Sequence, residues 1–361
     1  MAFVTIFLIL VIVLITVISV FIFVTGKPSK NFPPGPVRLP IWGSYLHVLW
    51  EDFAYPFKAF ENLKYKYNAP IIGCYLGSSP TIVANDYATC KAILSKPEFQ
   101  GRPEAFPVQF RMFGKQLGLF AGEGESWLRM KRFSLRNLRD IGFGRRSDTY
   151  EAVLGEETRD FIAAIQNECL NGRSVLIPEI FYPPLFNCIF YLMIGHRYPV
   201  SEHEKLRRIG RAGLKFITSN NVTGNAVGII PWIRHILPDY SGFRDLSESS
   251  MVFEKFMREQ FKEHKQTFDE SSLRDMVDNY IKAQDEYKDF TDEQTLITSI
   301  DFLFPNTAIA VVLSFAMIYL IKNPKVREKC QEQIDAVVGT GRLPHWTTDR
   351  RCRTWKRLSE K

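Results

Sequence analysis

The chain has 361 residues, with 46 Lys and Arg against 39 Asp and Glu, which gives a formal net charge of +7. Much of this excess belongs to residues 345–361, so the charge pattern does not indicate a surface that binds nucleic acid. Six cysteines without paired or metal-type spacing exclude a disulfide scaffold and fit a reducing, cytosolic setting.

Residues 2–24 form an apolar segment without a charged side chain. A helix with a rise of about 1.5 Å per residue spans roughly 34 Å over this length, which is the thickness of a bilayer core. A cleaved signal peptide is the alternative, but the first lysines, Lys27 and Lys30, follow the segment rather than precede it. The pattern predicts a retained transmembrane signal anchor, and the positive-inside rule predicts that the body faces the cytosol.

Residues 25–50 are interpreted as a Pro-rich linker leading into the body of the protein. Its prolines favour an extended, semi-rigid rod over a helix. A helix is then predicted over residues 52–67, followed by a β-hairpin of residues 71–76 and 81–84 and a helix capped by Asp86.

Helical periodicity dominates the rest of the chain, and no strand–helix alternation of a doubly wound sheet is present. Predicted helices cover residues 126–139, 149–165, 184–194, 201–219, 254–265 and 273–284. The apolar stretch 226–237 is either a segment that dips into the bilayer surface or a buried loop.

A capping box at residues 291–294 predicts the start of a long apolar helix that ends at about residue 320. Pro305 in its interior removes a backbone donor and is expected to bend it. Pro324 is expected to begin another helix that ends before Gly339. The predicted fold is therefore mainly α, with a small β-hairpin and one amino-terminal transmembrane helix.

The apolar anchor, Phe32-Pro33-Pro34-Gly35-Pro36, the hairpin and the basic segment that begins Trp127-Leu128-Arg129-Met130-Lys131-Arg132 stand in an order that closely resembles microsomal cytochromes P450, particularly those of insects. The resemblance runs from residue 1 to about residue 344 and implies a partial cytochrome P450 domain over residues 51–344. It also implies heme as the cofactor, an NADPH-dependent flavoprotein reductase as a partner, and location in the endoplasmic reticulum membrane. The implied reaction inserts one oxygen atom from O2 into an apolar small molecule.

The resemblance assigns Trp127 and Lys131 to the binding of a heme propionate. The family has an arginine at the second position, and the neighbouring Arg132 keeps the cationic character without restoring the bidentate fork. A solvated basic helix with Trp127 as a core anchor is the alternative. The family's variable substrate-facing loop corresponds to residues 100–122, where the alternative is that several side chains only pack the loop. Its candidate substrate residues are Phe106, Phe110, Phe113, Leu117 and Phe120.

The long helix departs from the family pattern of a small residue, Gly, any residue, an acid and Thr, because this chain has Pro305-Asn306-Thr307-Ala308-Ile309. Asn306 and Thr307 are the catalytic candidates near the oxygen site. Either they position a water, or proton delivery is impaired, or the substrate is already oxygenated. No metal-ligating residue is identified.

The family's E-x-x-R helix and its F-x-x-G-x-R-x-C segment, which carries the heme-ligating cysteine, have no counterpart here, and neither Cys330 nor Cys352 has that framework. The chain is expected to be truncated before this cysteine and to be inactive. Residues 345–361 are interpreted as a frame-shifted basic tail, since one permitted codon choice for the tail, with one adenine restored after the codon for Pro344, encodes a family-like sequence. The alternatives are a non-catalytic membrane protein that binds reductase or full-length partners, and an unstable pseudogene product.

Overall fold

The computed structural model describes residues 2–25, 31–143, 147–219, 226–339 and 341–344. The predicted basic tail, with Cys352, lies outside the described residues, as do Lys27 and Lys30. The chain divides into two compact units, one formed by Met1–Phe110 with Ile217–Leu246 and the other by Arg111–Phe216 with Ser247–Lys361.

The described part of the chain is mainly helical, as predicted. The helices are α1 Ala2–Thr25, α2 Tyr45–Glu51, α3 Pro56–Tyr67, α4 Tyr87–Ser95, α5 Phe106–Arg111, α6 Gly124–Ile141, α7 Asp148–Leu170, α8 Tyr182–Ile194, α9 His203–Ser219, α10 Ala226–Ile229, α11 Phe243–Gln266, α12 Met276–Glu286, α13 Asp292–Lys322 and α14 Pro324–Val337. Short 3₁₀ turns cover Pro97–Phe99, Glu179–Phe181, Val200–Glu202 and Pro231–His235.

The first unit contains the predicted hairpin. Strands β1 (Ile71–Leu76) and β2 (Ser79–Ala84) pair antiparallel. One face of the hairpin packs on α2 and α3 to form a core of Val48, Ala59, Phe60, Leu63, Ile72 and Cys74. Asp86 caps α4 as expected, because its carboxylate accepts a hydrogen bond from the Thr89 N–H at 2.9 Å.

Helix α1 is long and apolar enough to cross a membrane, with a mean hydropathy of 3.2 over Val4–Phe21. Helix α13 meets the same criterion of length and composition, yet the side chains of its first third are largely buried within the second unit. The stretch 226–237 is partly buried, and whether its exposed part meets the bilayer surface stays a prediction. Val227, Ile229 and Ile230 are buried, whereas Trp232 and Ile236 are more than half exposed.

Helix α13 is the long helix that the capping box predicts, and the Thr291 hydroxyl accepts a hydrogen bond from the Gln294 N–H at 3.2 Å. The helix continues through Pro305 and ends at Lys322, next to Asn323-Pro324. It packs against α8, most of whose side chains are buried. The interior of the second unit is therefore built around these two helices.

Two glycines of α9 bring its backbone against neighbouring side chains. A Cβ atom at Gly210 would lie 2.3 Å from the ring of Tyr182, and one at Gly213 would lie 2.2 Å from the Thr307 Oγ1. Neither position accepts a side chain without displacement of its neighbour, so the backbone of α9 itself is the packing surface here.

A charge network joins the end of α11 to the start of α12, and all of its members except Arg274 are buried. The His264 Nδ1 lies 2.8 Å from the Gln260 carbonyl oxygen and its Nε2 lies 2.9 Å from the Asp275 carboxylate, so both ring nitrogens donate to acceptors. The Asp278 carboxylate accepts two hydrogen bonds from the Arg274 guanidinium. The imidazole and the two carboxylates are close enough to hold a metal ion, but these bonds already occupy their ligand atoms. The positive charges of His264 and Arg274 therefore compensate the negative charges of Asp275 and Asp278.

The network sets the protonation of its members. Burial alone lowers the pKa of His264, but the hydrogen bond to Asp275 and the charge of its carboxylate outweigh that effect and raise the pKa above its ordinary value. Burial opposes the ionisation of Asp278, but the hydrogen bonds and charge of Arg274 lower its pKa overall. The network is therefore complete when His264 is protonated and Asp278 is ionised.

We expect the thermal midpoint of the detergent-solubilised chain to fall as the pH rises above about 6.5, the unfolded pKa of histidine. The stability contributed by His264 is fully present below that value and is lost as the pH rises through the higher folded pKa. His264→Gln should flatten this dependence and destabilise the protein by roughly 3 kcal/mol at pH 6, because Asp275 loses its cationic partner. His235→Gln, at an exposed position of the other unit, is the control. A wild-type midpoint that is constant between pH 6 and 8.5 would contradict this expectation.

Candidate functional site

Helix α6 carries the predicted heme-propionate residues and is fixed on one face. Met130, Ser134 and Leu138, spaced four residues apart, are buried, while basic side chains occupy the opposite face. The Ser134 hydroxyl lies 2.8 Å from the Tyr280 hydroxyl of α12, inside the protein. Gly142 ends the helix at φ +114°, in the left-handed region that favours glycine. The orientation of α6 is therefore set by buried contacts, which leaves its basic face in solvent.

The structure brings Trp127 and Lys131 together. Trp127 is half-buried, and its indole Nε1 donates a hydrogen bond to the Leu119 carbonyl oxygen at 3.0 Å. The Lys131 Nζ lies 4.7 Å from the centroid of the indole ring, which is a cation–π contact. Arg132 is also exposed but lines a separate groove with Arg129, Arg136 and Tyr287.

The loop of residues 118–120 is held on α13 by one carboxylate. The Asp301 Oδ2 accepts hydrogen bonds from the Leu119 N–H at 2.7 Å and from the Phe120 N–H at 2.9 Å. The Gln294 side-chain oxygen accepts another from the Gly118 N–H at 3.2 Å. A Cβ atom at Gly118 would lie 2.3 Å from the Asp301 carboxylate, and the residue has φ +73°. Only glycine fits this approach without displacement.

Arg111 is the ionic partner of the same carboxylate. Its Nη1 lies 2.7 Å from the Asp301 Oδ1, and both side chains are 5% exposed. The guanidinium carbon of Arg111 lies 4.9 Å from the ring centroid of Phe304 and 5.9 Å from that of Phe120. A buried ion pair in contact with aromatic rings therefore lies where α13 meets the 118–120 loop.

The candidate substrate residues fall into both units. In the first unit, the rings of Phe106 and Phe110 pack together and against Phe243, with centroid distances of 5.2 to 6.2 Å. In the second unit, Phe113 adopts φ +56° and lies beneath the Arg258 guanidinium at 5.5 Å.

Leu117 and Phe120 belong to the second unit as well. Leu117 is half-buried and immediately precedes the loop that is held by Asp301. Phe120 is 62% exposed and lies beside Arg111. Of the predicted set in this unit, Phe120 is therefore the residue placed next to a buried charged pair.

Asn306 and Thr307 both lie on the buried side of α13. The Asn306 Nδ2 donates hydrogen bonds to the carbonyl oxygens of Phe302 and Leu303 within its own helix. The Thr307 Oγ1 is fully buried beside Gly213 and has no hydrogen-bond partner among the described residues. The exposed positions of this helix from Pro305 to Phe315 are all apolar. They are Pro305, Ala308, Ile309, Val312 and Phe315.

Asp301 and Arg111 are the residues of this site that reasoning from the sequence missed. One signal could have found the first of them, because Asp301 is the only charged residue between Glu293 and Lys322 of the long helix. An isolated acid in an apolar helix is costly to bury without a partner and therefore points to one. The partner, 190 positions earlier in the chain, has no comparable local signal.

Comparison with known proteins gives a consistent set of relatives. The cytochrome P450 family model matches residues 33–351. A farnesoate epoxidase of Bombyx mori is 27% identical over 325 residues, covering 87% of this chain and 63% of the relative. The probable cytochrome P450 303a1 of Drosophila melanogaster is 26% identical, covering 90% and 67%, and cytochrome P450 2F2 of Mus musculus is 30% identical, covering 87% and 63%. The chain thus spans about two thirds of the length of these relatives.

We expect Asp301→Asn to release the 118–120 loop. The substitution removes the negative charge that compensates Arg111, and it replaces one carboxylate oxygen with an NH2 group that cannot accept a hydrogen bond. The free energy of unfolding should fall by roughly 3 kcal/mol. Hydrogen–deuterium exchange of a peptide covering residues 117–121 should rise at least tenfold. Glu293→Gln is the matched control, since this second acid of α13 pairs with Lys115 at the surface and should matter by less than about 1 kcal/mol. Equal effects of the two substitutions would contradict the assignment.

Proposed function

Because the chain belongs to the cytochrome P450 family, we propose that it is part of a heme-dependent monooxygenase that inserts one oxygen atom from O2 into an apolar small molecule. The family match over residues 33–351 is the observation that carries this proposal. Electrons come from NADPH through a membrane flavoprotein reductase. The proposed location is the endoplasmic reticulum membrane, with α1 as the anchor and the body in the cytosol.

Trp127 and Lys131 are the residues that we propose to hold a heme propionate. The exposed ammonium group of Lys131 supplies positive charge beside a half-buried indole. The Trp127 N–H is donated to the Leu119 carbonyl, so binding a propionate through the indole requires that bond to be shared or exchanged. The cation, rather than the indole, is the group that is free to reorient.

The exposed apolar stripe of α13 also fits a flat apolar ring. Ala308, Ile309, Val312 and Phe315 present hydrocarbon without a charged group. When bound, heme supplies the activation of dioxygen, and the protein contributes orientation and exclusion of water. A role for Asn306 or Thr307 in proton delivery requires their side chains to leave the positions described above, because the Asn306 amide is bonded within its own helix and the Thr307 hydroxyl lies against α9.

An apolar substrate is supported by the phenylalanines of the variable loop and by one insect relative, which is named for the epoxidation of farnesoate. Phe106 and Phe110 form an aromatic cluster, and Phe120 is largely exposed. Such surfaces recognise hydrocarbon by area rather than by hydrogen bonds, so they suit a flexible apolar chain.

We further propose that these 361 residues do not by themselves form a thiolate-ligated heme. Burial raises the pKa of the Cys74 thiol to about 11 and that of the Cys188 thiol to about 12, so both are protonated at neutral pH. Cys330 is buried within α14, and the sequence around it lacks the family's glycine-containing segment. None of the six cysteines stands in the family's F-x-x-G-x-R-x-C segment, so the iron ligand of the family has no counterpart among them.

A second candidate function is a non-catalytic membrane protein that binds a reductase or a full-length partner. The observation that favours it is the groove lined by Arg129, Arg132 and Arg136 on the exposed face of α6. Arg129 is paired with Asp289 and Glu125 also lines the groove, so Arg132 and Arg136 are the groups that suit an acidic protein surface, and such binding does not require heme.

Heme titration tests the proposed cofactor residues. Relative to the wild-type chain, Lys131→Met should weaken heme binding roughly tenfold because a charge-assisted contact is lost, whereas Lys131→Arg should restore or exceed it through its bidentate geometry. Lys115→Met, which removes a surface cation elsewhere, is the control. After reduction and addition of carbon monoxide, no thiolate-type Soret band is expected. A thiolate-type band that is abolished by Cys330→Ser would overturn the proposal on ligation.

The sequon Asn221-Val222-Thr223 tests the proposed topology. With the body in the cytosol, Asn221 should remain unglycosylated in microsomes. A sequon added in a short extension before Met1 should be glycosylated, because that end lies in the lumen. Modification of Asn221, or absence of modification on the extension, would contradict the orientation.

A further inference from the structure

We propose that Arg111 determines substrate specificity, by donating a hydrogen bond to an uncharged carbonyl oxygen at the polar end of an apolar substrate. The inference rests on the proposed function, of which it specifies the substrate class. The group that it selects is an ester or a similar neutral carbonyl, in preference to a free carboxylate or to a plain hydrocarbon.

Arg111 lies in an aromatic enclosure within the second unit. Its guanidinium carbon lies 4.9 Å from the ring centroid of Phe304, 5.9 Å from Phe120 and 6.0 Å from Phe216. The rings of Phe216 and Phe304 are 4.5 Å apart, and Phe253 stacks on Phe304 at 4.3 Å. Phe120 is 62% exposed, and Phe216 and Phe304 are half-buried, so a hydrocarbon chain could contact the accessible parts of these rings.

The guanidinium has more donors than the protein uses. An arginine carries five N–H donors in a fixed fork. The Arg111 Nη1 lies 2.7 Å from the Asp301 Oδ1, which compensates its charge, and Nε and Nη2 make no hydrogen bond to a described residue. The other oxygen of Asp301 is occupied by the amides of Leu119 and Phe120. An acceptor brought by a ligand could bond the remaining N–H groups of the guanidinium.

The charge balance selects a neutral acceptor. Asp301 already compensates the charge of Arg111, and both side chains are 5% exposed. A substrate carboxylate would place a second negative charge beside Asp301 in an environment that solvates it poorly. A carbonyl oxygen accepts the same hydrogen bond without adding charge. The enclosure therefore favours an uncharged oxygen over an anionic one.

The experiment measures binding to the full 361-residue chain in lipid nanodiscs by tryptophan fluorescence, with empty nanodiscs as the blank. The probes are a branched fifteen-carbon methyl ester, the corresponding free acid at pH 8, and the hydrocarbon of the same skeleton. We expect the ester to bind at least roughly tenfold more tightly than either of the others, which is the usual worth of one charge-assisted hydrogen bond.

Three variants locate the effect. The double variant R111M/D301N removes both buried charges together and should abolish the preference for the ester. R111K keeps the ionic partner of Asp301 but loses the planar fork, so it should retain the fold, judged by thermal melting, and lower the preference several-fold. R258M is the matched control, because the Arg258 guanidinium also lies over a phenylalanine ring but is half exposed and paired with Glu254.

Each outcome decides the proposal. Tighter binding of the acid overturns the choice of a neutral group. Equal binding of the ester and the hydrocarbon, an unchanged preference in R111K or the double variant, or no binding of any probe overturns the role of Arg111. None of these measurements involves heme, so a failed heme titration leaves this result standing, and a failed ester preference leaves the proposed monooxygenase standing.

Discussion

The carboxylate of Asp301 is the constraint on which the candidate site depends. A charge buried in the middle of an apolar helix is tolerated only where other groups compensate it, and here two backbone amides donate hydrogen bonds to the carboxylate and one guanidinium forms an ion pair with it. Leu119 donates its N–H to the Asp301 carboxylate and accepts the Trp127 indole N–H at its carbonyl oxygen. The position of the indole on α6 is therefore tied, through a loop of three residues, to a single side chain of α13.

Most of the helices and the hairpin could be predicted because their signals are local, but α2, α5 and the first half of α11 were not predicted. Periodicity, the capping box at Thr291, the turn at residues 77–78 and the prolines all act within a few residues of the structure that they specify. The charged pair of Arg111 and Asp301 could not be predicted in this way, because a contact between residues 190 positions apart exists only once the tertiary fold has formed. The isolated acid signals that a partner exists, but not which residue it is.

The same distinction explains the candidate site residues. The spacing of Trp127 and Lys131 on one helix predicts that they are neighbours, and they are. What each group binds is decided by other elements, so the pairing of the indole with Leu119 lay beyond the motif. Asn306 and Thr307 lie on the same face of α13 as the buried Leu303, Ala310 and Ser314. This face is turned toward the protein interior. The resemblance had assigned them by position in a motif, without regard to the face of the helix.

The glycines of α9 have an evolutionary consequence. Gly213 abuts Thr307, and one turn away on each helix the rings of Phe216 and Phe304 face one another. The backbone of α9 is in direct contact with a side chain of α13 at Gly213, so the two helices are at their minimum separation there. A substitution of Gly213 can increase this distance but cannot decrease it. Glycine also costs about 1 kcal/mol relative to alanine inside a helix, so this closeness is maintained against intrinsic propensity. Divergence toward ligands of another shape would therefore proceed through Phe216 and Phe304, whose replacement reshapes the enclosure while the scaffold keeps its spacing.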